Sequence, residues 1–137
     1  TTASQKNHAL LKELGADQVI DYHTTDFSKV LENVDLVFDT MGGDVQRNSF
    51  KVLNENGRLI SIVSQPDEEL AKKVAVAESI WLQPDGKQLQ VIADLMTDGK
   101  VKSVVGHTYP LTAEGVKEAH ELSETHHAKG KIVLVNE

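Results

Sequence analysis

Residues 34–64, VDLVFDTMGGDVQRNSFKVLNENGRLISIVS, decide the fold. VDLVFDT (34–40) is a short apolar run, closed by Gly42-Gly43, that reads as a buried-type strand. The period then changes. Over DVQRNSFKVL (44–53), Val45, Phe50 and Leu53 are placed for a helix, and ENG (55–57) stops it. GRLISIVS (57–64) returns to strand composition. Strand, helix and strand joined by short connections make a crossover unit, and a crossover leaves its two strands parallel.

The same alternation extends outward. Upstream, Ala9, Leu10, Leu11 and Leu14 share a helical face, with Ser4 placed to cap the helix and Gly15 to end it. A short strand from Gln18 to Asp21, the polar turn HTTD (23–26) and a short helix around Phe27–Leu31 follow. Downstream, QPDEELAKKVAVA (65–77) reads as loop and helix, and ESIWLQ (78–83) as a fourth strand. Leu89, Ile92, Ala93, Leu95 and Met96 then share a face of a helix that Asp98-Gly99 terminates. After VKSVVGHTYPL (101–111) come another helix, with Ala113, Val116, Ala119, His120 and Leu122, and a final strand, GKIVLV (130–135). The pattern predicts an α/β fold, a Rossmann-like and mostly parallel sheet with helices on both faces. No repeat, low-complexity stretch or Pro/Gly-rich linker divides residues 1–137, so they are read as one domain.

Composition narrows the function classes. A chain of 137 residues can build one core. Its net charge of −7 argues against a nonspecific nucleic-acid surface or an anionic-membrane surface. Runs such as VDLVF (34–38) and KIVLV (131–135) are far too short to span a bilayer, and the polar N-terminus does not resemble a signal peptide. Without cysteine there is no disulfide, thiolate metal site or cysteine nucleophile in this segment, which is compatible with a cytoplasmic location. The opening TTASQKNHALL lacks Met and starts at the edge of a helix, so residues upstream are expected.

In open parallel sheets the ligand sits beyond the carboxyl ends of the strands. The residues there are Asp21-Tyr22-His23, Asp39-Thr40-Met41-Gly42-Gly43, Val63-Ser64-Gln65 and Leu82-Gln83-Pro84. They are small, polar or glycine-containing, which allows close approach to the backbone. On pattern alone, nucleotide binding and the ordinary clustering of turn residues account for them equally well. The dinucleotide fingerprint G-x-G-x-x-G is absent, and Gly42-Gly43 has the wrong spacing to replace it. His126-His127 read as a solvated helix end rather than metal ligands, and His107 and His120 as structural. Asp21 and Asp39 suit cap or turn roles better than acid–base chemistry. Trp81 reads as core or interface.

Taken in order, LGADQVIDYHTTDF (14–27), VDLVFDTMGG (34–43), LNENGRLISIVS (53–64), LMTDGKVKSVVGHTYPL (95–111) and EGVKEAHELSETHHAKGKIVLV (114–135) closely resemble the medium-chain dehydrogenases/reductases. The resemblance covers essentially the whole chain and is nearest to the quinone oxidoreductase branch. It implies a Rossmann domain whose glycine fingerprint and first strands lie upstream of Thr1, following a substrate domain. It also implies NADPH as cofactor, with Ser4 and Lys6 on the 2′-phosphate and Tyr22 against the adenosine end. Thr40 and Gly42 would border the adenine–ribose, and Val63 and Ser64 the nicotinamide ribose. Trp81, Leu82 and Gln83 would meet the nicotinamide amide. At His126-His127 relatives often carry arginine near the phosphate, so this chain departs from the pattern there.

The implied reaction is hydride transfer from NADPH to a quinone or an activated carbonyl or enone, without zinc and with no catalytic residue in this segment. The alternatives are a zinc-dependent alcohol dehydrogenase and, in another class, a non-catalytic Rossmann-like binding domain. The resemblance further implies a homodimer through residues 78–83. Two strands from elsewhere in the domain should separate QVIDY (18–22) from VDLVFDT (34–40). The chain alone is expected to be inactive and to bind NADPH no tighter than roughly 1 mM.

Overall fold

The computed structural model describes Thr1–Asn136, which divide into two compact units at Gln83/Pro84. In the first unit, a 3-10 turn (Gln5–Asn7) leads into α1 (His8–Glu13). Gly15, at φ 101°, ends the helix in the left-handed region that glycine enters without strain. Ser4 precedes the turn in extended conformation, but its side chain makes no capping hydrogen bond, contrary to expectation. QVIDY does not form a full strand. Ile20 makes a single parallel bridge with Thr2, through Ala3 N–H to the Ile20 carbonyl and Ile20 N–H to the Thr1 carbonyl, both 2.9 Å. The predicted helix near Phe27 is a 3-10 turn (Phe27–Lys29) capped by the Asp26 carboxylate.

The centre of this unit is the crossover expected from residues 34–64. β1 (Val34–Asp39), α2 (Gly43–Ser49) and β2 (Leu53–Ser61) alternate, and β1 pairs with β2 in parallel. Leu59 and Val52 form its innermost apolar contacts, flanked by Phe50. The ENG segment does not end at a strand start but lies inside β2. The register jumps from Val34 opposite Leu53 to Leu36 opposite Arg58, so residues 54–57 form an excursion from the ladder. Asn54 Nδ2 donates to Asp35 Oδ1 at 2.8 Å to hold it, and a Cβ on Gly57 would come within 2.8 Å of the Asn54 carbonyl oxygen.

The helix in 65–77 shrinks to one turn, α3 (Glu68–Ala71), capped by Asp67. β3 (Val76–Ser79) completes a sheet of order β1-β2-β3, parallel throughout. Only the first residues of ESIWLQ therefore belong to a strand. Trp81, Leu82 and Gln83 follow it as exposed coil.

The second unit contains α4 (Gly86–Thr97), β4 (Val105–Pro110), α5 (Ala113–Glu124) and β5 (Lys131–Val135). β4 and β5 pair in parallel across α5, a second crossover. Thr112 caps α5 by accepting from Gly115 N–H at 3.1 Å. Gly115 is buried against Pro110, where a Cβ would collide with the carbonyl oxygen. Every pairing between named strands is parallel, as the alternation predicts. The expected single sheet is instead a three-stranded and a two-stranded sheet among the described residues. No helix among them is long and apolar enough to cross a membrane.

Candidate functional site

Sequence and topology converge on the end of β1. Because β1 and β2 are parallel and in register, Asp39 stands opposite Ser61 and the turns that follow both strands leave from one edge. Asp39 is 4% exposed and Ser61 fully buried. A carboxylate there is costly unless its lone pairs are filled, and all its partners come from the turn and its neighbours. Oδ1 accepts from Met41 N–H at 3.0 Å and Gly42 N–H at 2.9 Å. Oδ2 accepts from Ser61 Oγ at 2.8 Å and Gln46 Nε2 at 2.9 Å. Burial pushes the Asp39 carboxyl up, but the bonds from Gly42, Met41, Ser61 and Gln46 together outweigh it and hold the group below its ordinary value. Asp39 is the turn residue expected, in a stronger form.

The network reaches the second turn. Ser61 Oγ accepts from Val63 N–H at 3.2 Å and Ser64 N–H at 3.3 Å. Gln46 Nε2 lies 3.2 Å from the Ser64 carbonyl oxygen and 3.3 Å from Ser64 Oγ. Gly42, at φ 72°, fits beside it because it has no side chain: a Cβ would lie 3.2 Å from both Ser64 Oγ and Val63 Cγ1. Four predicted residues, Thr40, Gly42, Val63 and Ser64, are thus brought to adjacent turns, with Met41 and Val63 exposed above them.

This geometry also limits the chemistry. The Met41 and Gly42 amides are consumed by Asp39, and an ionised carboxylate lies beneath the turn. Both features disfavour a phosphate there and favour a neutral, hydroxyl-bearing part of a ligand.

The other predicted residues form two further groups. Ser4 and Tyr22 each lie two residues beyond the Thr2–Ile20 bridge, so the parallel pairing carries them toward the same end, with exposed Lys6 following in the 3-10 turn. Tyr22 stacks obliquely on His23, centroids 4.3 Å apart. Trp81 and Leu82 are 90% and 77% exposed beyond β3, whose end is tied to β2 by Ile80 N–H to the Ser61 carbonyl at 2.9 Å. Trp81 is therefore not a core residue within its unit.

His126, at φ 57°, and exposed His127 end α5, as a solvated helix end should. Among the described residues no group of three or more His, Cys, Asp or Glu could hold a metal ion.

Asp39, Gln46 and Ser61 were not among the predicted ligand-site residues. A signal for Gln46 existed. The buried stripe of α2 and its end is Gln46, Ser49 and Phe50, spaced i, i+3 and i+4, whereas Val45 is partly exposed. Counting only apolar residues hides a stripe that is partly polar.

A parallel α/β domain with its candidate site in the turns beyond the strand ends is the class that this arrangement defines. The zinc-binding dehydrogenase family matches residues 14–134. The chain belongs to that family, within the medium-chain dehydrogenases/reductases. It is 30% identical over 142 residues to a probable mitochondrial zinc-binding oxidoreductase of Arthroderma benhamiae, covering 97% of this chain and 42% of that protein. It is 29% identical to the chloroplastic NADPH-dependent alkenal/one oxidoreductase of Arabidopsis thaliana, covering 97% of this chain and 32% of that one. Among solved structures, the quinone oxidoreductase from Coxiella burnetii superposes with a TM-score of 0.83 at 35% identity, over 98% of this chain and 43% of that chain. The chain thus spans less than half the length of these relatives.

Proposed function

We propose that the protein carrying this chain transfers a hydride from NADPH to a quinone or an activated carbonyl or enone acceptor, and that this chain supplies part of the nucleotide site. The observation that carries the reading is the pair of locked turns at the β1 and β2 ends, where Gly42, lacking a side chain, packs closely against Ser64 and Val63. A ribose and a flat ring need such a surface: neutral, partly apolar, with a hydroxyl and no competing phosphate cradle. Relatives named for quinone and alkenal/one reduction add support.

In this reading Ser4 and Lys6 hold the 2′-phosphate, and Tyr22 covers the adenosine end. Thr40 and Gly42 border the adenine–ribose. Val63 and Ser64 meet the nicotinamide ribose, and Trp81, Leu82 and Gln83 meet the carboxamide. The bound nucleotide supplies the hydride, and the acceptor takes its proton from solvent. The chain's own part is orientation and exclusion of water, which can supply much of a rate without a nucleophile.

The test is NADPH oxidation by the full-length protein with a quinone and with an enone, against NADH controls. Turnover preferring NADPH supports the reading, whereas nucleotide binding without turnover of either acceptor would favour a non-catalytic domain. The chain by itself, lacking G-x-G-x-x-G, should hold NADPH no tighter than roughly 1 mM by calorimetry.

A homodimer through residues 78–83 belongs to the same proposal. β3 pairs on one side only among the described residues, and Ile80 and Leu82 beyond it are exposed. Sedimentation as a monomer at micromolar concentration would count against it.

A further inference from the structure

We infer that Gln46 is a positioning residue for the nucleotide: it fixes the Ser64 hydroxyl as an outward hydrogen-bond donor, and so sets what that part of the site can recognise. The inference rests on the nucleotide reading and adds to it a residue that touches no ligand.

Gln46 sits on α2 with its side chain 4% exposed, between the ends of β1 and β2. Its Nε2 faces three acceptors: Asp39 Oδ2 at 2.9 Å, the Ser64 carbonyl oxygen at 3.2 Å and Ser64 Oγ at 3.3 Å. That set fixes the amide orientation, because an amide oxygen in the same place would meet a carboxylate and a carbonyl, neither of which can donate. An NH₂ group has two hydrogens. One is committed to the ionised Asp39, the shortest contact and the charge-assisted one. The other is shared between the two oxygens of Ser64.

The consequence concerns the Ser64 proton. A hydroxyl carries one donor and two acceptor positions. Where Oγ accepts from Gln46, its proton has no use on that side, since an N–H cannot receive it. Ser64 is half-buried, and its O–H is left to donate to a ligand oxygen. The backbone supports this arrangement: Ser64 N–H is already bound to Ser61 Oγ, so the residue cannot turn without breaking a second contact. Gly42 lies on the other flank, where a Cβ would come within 3.2 Å of Ser64 Oγ and press on it. Among the described residues the only ionisable group bonded to this cluster is Asp39, and Ser61 and Ser64 are neutral, so the orientation is set by donor count rather than by titration. The ligand atom that Ser64 selects is therefore an acceptor, such as a ribose or carboxamide oxygen.

The test is a double-mutant cycle in the full-length protein between Gln46→Met, which keeps length and removes the amide, and Ser64→Ala. Direct titration of the unaltered protein with NADPH comes first, and failure to bind there would overturn the nucleotide reading and this inference with it. Given binding, each single change should raise the NADPH KM and dissociation constant roughly three- to tenfold, the range for one neutral hydrogen bond, with kcat within about twofold.

The two changes together should cost little more than either alone, because both remove the same ordered donor. Ser49→Ala provides the comparison for a merely structural effect. It removes another buried hydroxyl of α2, one that donates to the Val45 carbonyl at 2.9 Å, and should lower thermal stability without moving KM. If Gln46→Met disturbs folding, Ser64→Ala alone carries the test, and an unchanged NADPH dissociation constant in that folded variant overturns the assignment. Multiplicative losses in the cycle, or an unchanged KM in a folded Gln46 variant, would overturn the assignment.

Discussion

The turns after β1 and β2 and the segment after β3 leave the same sheet edge, yet they are built in opposite ways. At the first, a buried carboxylate binds two amides, a hydroxyl and a carboxamide, and the backbone is fixed before any ligand arrives. At the second, Trp81 and Leu82 project almost fully into solvent, and the last tie to the sheet is Ile80 N–H. The difference separates preorganised recognition from surface awaiting a covering. A turn whose polar groups satisfy one another costs little ordering on binding, whereas an exposed apolar tip contributes only when something covers it.

The sharpest way to break that contrast is Asp39→Ala. It leaves the Met41, Gly42, Ser61 and Gln46 donors without their acceptor, and one to three kcal/mol per orphaned donor sums to at least about 3 kcal/mol even with partial rehydration. Urea unfolding should show this loss, and a change below about 1 kcal/mol would mean that the turn is held by something else.

Gly42→Ala comes next. The φ of 72° with ψ −165°, a region essentially reserved for glycine, and a Cβ only 3.2 Å from Ser64 Oγ should together cost about 1–3 kcal/mol, read by the same measurement. Lys6→Ala moves to the ligand side of the comparison. In the full-length protein the NADPH KM should rise up to about tenfold while that for NADH stays nearly constant. Equal shifts for both cofactors would remove Lys6 from the 2′-phosphate.

A smaller effect follows from the titration of Asp39. Its carboxyl is held below the ordinary 3.8 in the folded chain, so the unfolded chain takes up that proton first. The stabilisation is complete above the unfolded value and disappears as pH falls through the folded one. NMR titration of its carboxyl carbon should give a midpoint below 3.8, whereas one above would mean that desolvation wins. The smallest effect belongs to the other tip: Trp81→Ala should alter the stability of this chain by no more than about 0.5 kcal/mol. A larger loss would show that Trp81 is already packed in solution.

By itself the sequence determined the alternation of strand and helix. VDLVFDT and GKIVLV are apolar runs closed or opened by glycine, and hydrophobic burial leaves such runs few uses except parallel strands joined by crossovers. It also determined which strand ends to inspect, because the polarity of a parallel sheet follows from chain direction. Tertiary structure alone decided the rest. QVIDY became a single bridge and ESIWLQ half a strand, since a strand lasts only as far as its neighbours supply hydrogen-bond partners, and those partners are distant in sequence. The same holds for Gln46: its spacing marks the buried side of α2, but the acceptors it serves are Asp39 and Ser64, one preceding the helix and one following the next strand. Only folding brings those oxygens within reach of one amide.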